Sequence, residues 1–166
     1  MTSENEALLD DIGWRIVCLL QENARLTYTE IGKEVGLSAR AVAERVRRLE
    51  EAGVIVGYRA EVNASRLGLP MTAFIRIATA GEGKYEQVLS LLRDRPEVLE
   101  CHRVTGTDSY FIKVIVASVQ HMEEFLARLV PYGQPTTSVV LSSPVTHRVI
   151  CRDTLAQATV PPPWKR

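Results

Sequence analysis

Arginines are concentrated in one short stretch of the sequence, where Arg40, Arg45, Arg47 and Arg48 accompany a single acid, Glu44. A guanidinium group is a planar, permanently charged fork of donors that can bind O6 and N7 of guanine together. Several such groups on one face of a helix could therefore contact bases in a DNA major groove. The alternative is a solvated arginine-rich helix that binds no DNA.

Helical periodicity, at about 100° per residue, sorts this stretch into two sides. The side that must pack on other helices holds three aliphatic residues, Val42, Val46 and Leu49. The opposite side holds Arg40, Glu44 and Arg47, with Arg48 on its flank. We expect Arg40 and Arg47 to contact bases, with the other two residues at the same interface.

Neighbouring residues extend this candidate DNA-binding set. Ser38 precedes the helix and is expected to cap it or to contact a phosphate. Arg45 lies close to the packed side, which predicts an internal salt bridge. Tyr28 and Thr29 stand at the exposed start of the preceding helix, where backbone N–H groups attract phosphate. Simple capping is the alternative for these two residues.

The elements that position these side chains are three predicted helices, at about residues 6–22, 28–35 and 39–52. Thr27 and Glu30 have the spacing of a capping box, and Gly36 can close the second helix. Ser38 opens the third helix and Gly53 ends it. This order predicts a winged-helix-like helix-turn-helix domain.

The remaining sequence predicts a βαββαβ arrangement. Val54–Val62 is rich in β-formers and is expected to be a connecting strand, followed by a linker. The later strands are predicted at Met71–Ala80, Val98–Val104, Tyr110–Val116 and from Thr137 to Leu141, with helices at about 85–92 and 122–129. The fold class is therefore α+β, with a helix-turn-helix domain and a ferredoxin-like domain. The predicted boundaries are 1–53, 54–69, 70–150 and a tail at 151–166.

Composition neither demands nor excludes a DNA partner. The chain has 166 residues, with 20 Lys+Arg and 20 Asp+Glu. Residues 1–64 hold eight basic and eleven acidic residues, a balance of minus three, so local charge must decide. No apolar run reaches the roughly 18 residues of a membrane span, and the first residues lack signal-peptide character. We expect a cytoplasmic protein with no membrane partner.

Cys18, Cys101 and Cys151 are widely spaced and form no CxxC pair. Neither a zinc site nor a disulfide framework is expected, and no cofactor is predicted. No phosphate-binding glycine loop or nucleophile motif is present, so the sequence predicts no catalytic residues.

A second candidate site is the turn from Thr105 to Asp108. Gly106 permits close backbone approach, and the Asp108 carboxylate could accept hydrogen bonds from an ammonium group. This chemistry suits an α-amino acid. The alternative is an ordinary tight hairpin in which Asp108 bonds its own backbone.

Taken together, these residues resemble the Lrp/AsnC, or feast/famine, family of transcriptional regulators over about residues 7–145. The segments that carry the resemblance are Leu37-Ser38, Arg45–Glu50, Gly53-Val54-Ile55, Gly57-Tyr58, Val104–Gly106 with Asp108 and Tyr110, and Thr136–Leu141. The resemblance implies a DNA-binding domain, a connecting strand and a sensor domain. It also implies dimers formed through the sensor domain, often assembled into octamers, that bind amino acids or related molecules between subunits.

The resemblance implies a ligand site at Thr105, Gly106, Asp108 and Tyr110, completed by Thr136, Thr137 and Ser138 from the facing subunit. Two positions depart from the family pattern. Gly13 stands where an acidic residue is common, and a glycine within a helix weakens it by up to about 1 kcal/mol. The run from Pro131 to Pro135 replaces Pro-Gly-Val near the effector site, so effector identity does not carry over.

Two other functions stay open on the sequence alone. Some tetrapyrrole decarboxylases resemble this family, and they would use histidine and arginine around the sensor sheet, where His102 and Arg103 lie. The other is a DNA-independent amino-acid sensing or assembly module.

Overall fold

A computed structural model describes residues 7–79 and 84–154 of the chain. The described residues divide into two compact units, one formed by residues 7–60 together with 145–154, the other by residues 61–79 and 84–144. Residues 145–150, which the sequence placed in the second domain, therefore group with the helical unit. The tail predicted at 151–166 is described only as far as residue 154.

The helical unit contains the three predicted helices. They are α1, Asp11–Glu22; α2, Tyr28–Val35; and α3, Ala39–Glu51. Their apolar stripes meet in one core made of Ile16, Leu19, Leu20, Ile31, Val42, Val46 and Leu49. The Thr27–Glu30 capping box is present, and Gly36 ends α2 with a φ of 70°. The turn between α2 and α3 is therefore set by local chemistry, as predicted.

The first helix begins later than predicted, at Asp11 rather than near residue 6. Residues 7 and 8 are helical, but Leu9 and Asp10 interrupt the helix, and the Asp10 carboxylate accepts a hydrogen bond from Gly13 N–H at 2.7 Å. A Cβ at Gly13 would lie 2.0 Å from the Leu8 carbonyl oxygen. Gly13 is thus not a mid-helix weakness, because it lets the preceding turn fold back onto the first turn of α1.

Within this chain, the segment predicted as a connecting strand, Val54–Val62, does not form a strand. Val54 and Ile55 both donate backbone hydrogen bonds to the Leu49 carbonyl and pack on the helical core. Val56 is 89 % exposed, and among the described residues nothing pairs with 56–62 as a strand. The β-forming side chains are therefore used to close α3, and the following residues lack the ladder that a strand requires. A short 3₁₀ helix, Ala64–Leu67, follows.

The second unit is a four-stranded antiparallel sheet with two helices on one face. Its strands are β1, Met71–Thr79; β2, Val98–Arg103; β3, Tyr110–Val116; and β4, Gly133–Val139, in the order β2-β3-β1-β4. Its helices are α4, Lys84–Arg93, and α5, Val119–Leu129. Helix residues such as Val88 and Phe125 pack against Ile75 and Ile112 of the sheet. The predicted α+β class and βαββαβ order are confirmed.

The fourth strand starts four residues earlier than predicted, because the Pro131–Pro135 run is not a loop. A 3₁₀ turn, Val130–Tyr132, leads directly into β4. A Cβ at Gly133 would lie 2.2 Å from the Ala78 carbonyl oxygen, so only glycine allows this close start. Pro135 is tolerated because β4 is an edge strand, where a missing N–H need not break a ladder.

Within this unit, the face of the sheet opposite the helices carries large apolar side chains. Phe74 and Phe111 are 39 % and 36 % exposed. Across residues 7–79 and 84–154, we find no helix with the length and apolarity needed to cross a membrane.

Candidate functional site

The candidate DNA-binding face is the solvent side of α3. Ser38 caps the helix by accepting a hydrogen bond from Ala41 N–H at 3.2 Å. Val42, Val46 and Leu49 are at most 1 % exposed, so the opposite side of α3 must face solvent. Arg40 lies in the first turn of α3 and is exposed, and no ion partner faces it among the described residues. Its guanidinium group is free to bind an external acceptor.

The other two arginines of this face are held by carboxylates of their own helix. Glu44 accepts from Arg47 at 2.7 Å and 3.1 Å and from Arg48 at 2.9 Å, while Arg47 also donates to Glu51. Hydrogen bonds from Arg47 and then Arg48 lower the pKa of Glu44 to about 2. Hydrogen bonds to Glu44 and then Glu51 raise the pKa of Arg47 above its ordinary value. All four side chains are about half exposed, so water screens these pairs.

This network changes what the predicted contacts can do. Two arginines and two glutamates cancel in charge, so Arg40 supplies the uncompensated charge of the face. Arg47 can contact a base only if it gives up a hydrogen bond to Glu44 or Glu51 and forms one to the base instead. Glu44 is itself an acceptor, and could take a hydrogen bond from cytosine N4 once released.

Arg45 makes the internal salt bridge that its position predicted. Its guanidinium donates to both Asp10 carboxylate oxygens, at 2.7 Å and 2.9 Å. The Arg45 hydrogen bonds, followed by that from Gly13 N–H, lower the pKa of Asp10 below 3.8. Asp10 therefore joins the start of α1 to the middle of α3, which steadies the orientation of the exposed face.

Tyr28 and Thr29 begin α2 and are both exposed, as predicted. Tyr28 borders an open cavity of about 400 Å³, lined also by Leu20, Ala24, Leu26, Thr27 and Tyr58. Tyr58 donates its phenol proton to Glu50 at 2.8 Å, and burial is the main cause that raises its pKa to about 12. Both Tyr28 and Thr29 are therefore accessible to a phosphate that approaches the start of α2.

The second candidate site is the turn between β2 and β3. Val104 N–H donates to the Ser109 carbonyl at 3.1 Å, and Ser109 N–H donates to the Ile77 carbonyl at 2.8 Å. The Ser109 hydroxyl also accepts from Thr79 N–H at 3.1 Å. Gly106 adopts a φ of 113°, a region that other residues avoid. The turn is thus anchored to β1, while Thr105 and Gly106 stay exposed.

Asp108 has a partner that the sequence reasoning missed, Arg76 of β1. One guanidinium nitrogen lies 3.9 Å from an Asp108 oxygen, beyond hydrogen-bond distance. The register places Arg76 opposite Phe111 on one side and Thr136 on the other. A basic residue inside the apolar strand MTAFIRIAT was a signal for this, because an unpaired charge within a strand needs a reason.

The other predicted ligand residues divide between the two faces of the sheet. Thr136 and Ser138 are exposed and pair with Arg76 and Phe74, whereas Thr137 pairs with buried Ile75. Tyr110 is 1 % exposed and belongs to the core, and its ring meets the exposed Tyr85 ring of α4 edge-on. We therefore revise Tyr110 from a ligand contact to a packing residue, because its ring lies inside the helix-covered side.

No group of histidine, cysteine and carboxylate residues that could hold a metal ion occurs in the described part of the chain. His102 and Arg103 do not form one pocket. His102 pairs with exposed Phe111 and lies 3.4 Å from Glu100, while Arg103 stacks on the Tyr85 ring at 5.1 Å, on the helix side.

Comparison with known proteins gives two matches that together span most of the chain. Residues 9–56 match a winged helix-turn-helix DNA-binding family, and residues 72–150 match the Lrp/AsnC ligand binding domain. An uncharacterised helix-turn-helix transcriptional regulator of Bacillus subtilis, YezC, is 43 % identical over 139 residues. That alignment covers 84 % of this chain and 98 % of the relative.

Solved structures agree with this. The chain is similar to B. subtilis LrpC, with a TM-score of 0.78, 33 % identity and coverage of 83 % and 98 % of the two chains. It is also similar to a Neisseria meningitidis transcriptional regulator in complex with L-Met. The TM-score there is 0.82, with 27 % identity and coverage of 89 % and 99 %.

The Asp10–Arg45 bridge generates a stability prediction. Asp10→Asn keeps an oxygen for Gly13 N–H but loses the charge, so we expect the free energy of unfolding at pH 7 to fall by about 1 kcal/mol. The bridge stabilises above pH 3.8 and is lost as pH falls through the lowered pKa of Asp10. The difference from the parent should therefore vanish in acid.

Denaturant titration at several pH values measures this difference. Glu34→Gln is the matched control, since Glu34 meets Arg15 through one contact at 3.5 Å with both side chains more than half exposed. Equal stability of Asp10→Asn and the parent at pH 7 would show that the bridge does not hold the helices.

Proposed function

Because this chain belongs to the Lrp/AsnC family of transcriptional regulators, we propose that α3 reads specific duplex DNA and that the sheet unit adjusts this binding to an amino acid. The observation that carries the proposal is the outward face of α3, fixed by three buried aliphatic residues behind it.

The proteins of this family are regulators, so the decarboxylase alternative is set aside. Since chromosomal DNA is the proposed partner, we expect action in the cytoplasm.

The proposed DNA contacts divide by role. Arg40 and Arg47 contact base edges, and Ser38, Arg48, Tyr28 and Thr29 lie where phosphates pass. Arg40 needs no rearrangement, whereas Arg47 must leave Glu44 and Glu51. That exchange favours sequence selectivity over affinity, since only a matching acceptor compensates the lost hydrogen bonds.

Replacing Arg40 or Arg47 by Ala tests this interface. We expect each change to weaken binding to the cognate site by about 1–3 kcal/mol, because each removes a bidentate base contact. Fluorescence anisotropy with duplexes recovered by selection measures the loss. Arg128→Ala, in the last turn of α5, is the control and should bind normally. Unchanged affinity for DNA in both Arg40→Ala and Arg47→Ala would show that the exposed face of α3 does not contact the bases.

The proposed effector site lies between Arg76 and Asp108. An α-amino acid carries a carboxylate and an ammonium group, which complement a guanidinium and a carboxylate respectively. The two side chains face each other at 3.9 Å without a hydrogen bond, so a ligand can be inserted without breaking a strong pair. Thr105, Gly106, Thr136 and Ser138 border this space, whereas Thr137 and Tyr110 lie on the helix-covered side of the sheet and support it through packing. The L-Met complex of the similar Neisseria regulator supports this ligand class.

Asp108→Ala and Arg76→Ala should each abolish amino-acid binding without loss of DNA binding, because each removes one of the two charged anchors. Calorimetry with a panel of L-amino acids measures the first property and anisotropy the second. Glu100→Gln is the control, since Glu100 lies in the same sheet but already pairs with Lys113 at 2.7 Å. Normal amino-acid binding by both alanine variants would leave the turn a structural hairpin.

We also propose a homodimer, and higher assemblies such as the octamer, built on the uncovered face of the sheet. Phe74 and Phe111 expose aromatic surface there without a packing layer from their own unit. A second copy would cover this face and enclose a ligand held at Arg76. Regulation then requires the ligand to bind one assembly more tightly than another.

Phe74→Glu should shift the protein towards monomers at a fixed concentration, because burial of a charge in an apolar interface is costly. Analytical ultracentrifugation measures the shift. Val119→Glu, which alters an exposed apolar residue on the helix side, should leave the assembly intact. An unchanged sedimentation coefficient for Phe74→Glu, with native circular dichroism, would place the interface elsewhere.

A further inference from the structure

The segment after the sheet returns to the first helix of the DNA-binding unit. Residues 145–154 belong to the helical unit although they follow β4. The Gln21 side chain donates to the Ile150 carbonyl at 2.9 Å and accepts from Ile150 N–H at 3.0 Å. One side chain therefore satisfies both backbone groups of one residue, which fixes the position of Ile150 along α1.

A second contact fixes the direction of this segment. The Arg152 guanidinium pairs with the Asp11 carboxylate. Gln21 lies in the last turn of α1 and Asp11 in the first. The segment thus runs along α1 from its C-terminal end towards its N-terminal end, and we call residues 150–154 the return segment.

These two contacts place Cys151 beside the stripe of α1 that carries Cys18. Asp11, Cys18 and Gln21 lie at positions i, i+7 and i+10, which share one stripe of a helix. Cys151 lies between Ile150 and Arg152, whose partners lie on either side of Cys18 along that stripe. Both thiols are partly exposed and neither is in a disulfide.

The two thiols differ in character. Hydrogen bonds from Thr154, side chain first and then backbone, lower the pKa of the Cys151 thiol. Burial, followed by repulsion from Cys151, raises the pKa of the Cys18 thiol. Cys151 is therefore the more reactive sulfur towards an oxidant, and Cys18 is placed to react second. Repulsion from Cys151 is one of the causes acting on Cys18, which agrees with the placement of the two thiols on neighbouring segments.

We propose that Cys18 and Cys151 are a redox pair that forms a reversible disulfide when the protein meets a hydroperoxide, fastening the return segment to α1. The Cys151 thiolate attacks one peroxide oxygen, the O–O bond breaks, and the leaving oxygen takes a proton. Cys18 sulfur then attacks the resulting sulfenic acid, and its proton leaves with the hydroxide as water. The two thiols lose two electrons, which the peroxide gains.

This device goes beyond the family assignment. The match to the ligand binding domain ends at residue 150, so Cys151 and Arg152 lie outside it. The disulfide would close a covalent ring from α1 through the sheet unit and back. It would act on the element that supports α3, since Ile16 and Leu19 of α1 pack in the same core as Val42 and Val46.

The test is peroxide treatment of the full chain, followed by non-reducing digestion and mass spectrometry. The expected product is one intrachain peptide pair that joins Cys18 to Cys151 and that a dithiol reverses. Cys18→Ser and Cys151→Ser should each abolish it. Cys101→Ser is the matched control and should form it normally, since Cys101 lies on β2 and burial raises its pKa.

A second measurement tests the placement itself. Gln21→Ala and Arg152→Ala should each slow disulfide formation several-fold, because each removes one of the two contacts that align the return segment. Formation at the parent rate in both variants would overturn the placement. Absence of the Cys18–Cys151 product from the folded parent, or a product that joins either residue to Cys101, would overturn the proposal.

Discussion

The aliphatic contact between α3 and the two preceding helices is the constraint on which the other features of the helical unit depend. Val42, Val46 and Leu49 are buried against residues of α1 and α2. With that side fixed, Arg40, Glu44 and Arg47 can only face solvent. The Asp10–Arg45 bridge adds a polar link between α1 and α3. Apolar burial sets the direction in which the arginines point, and the Asp10–Arg45 bridge limits rotation of α3 relative to α1.

Charge balance leaves the exposed face of α3 with little net positive charge. The chain has equal numbers of basic and acidic residues, and two of the three arginines on the face are paired within α3. Long-range attraction to DNA is therefore weak compared with that of a basic domain. Under the proposed interface, binding depends on short-range exchange, in which base acceptors replace Glu44 and Glu51.

Local chemistry made much of the fold predictable, because capping and helical periodicity act within a few residues. Thr27, Glu30, Ser38 and Gly36 mark the helix ends correctly, and the salt bridge of Arg45 followed from its angle on the helix. The failures were long-range. The unpaired segment after Ile55, the early start of β4 at Gly133 and the Arg76–Asp108 pair depend on register and partners distant in sequence.

Chemical footprinting of guanine N7 on a bound cognate duplex tests the central claim most directly, because N7 lies in the major groove. If α3 enters that groove, dimethyl sulfate should fail to methylate N7 of the guanines that α3 covers when the protein is bound. The double variant with Arg40→Ala and Arg47→Ala should restore methylation. Full N7 methylation in a saturated complex, with protection of adenine N3 in the minor groove, would contradict the account.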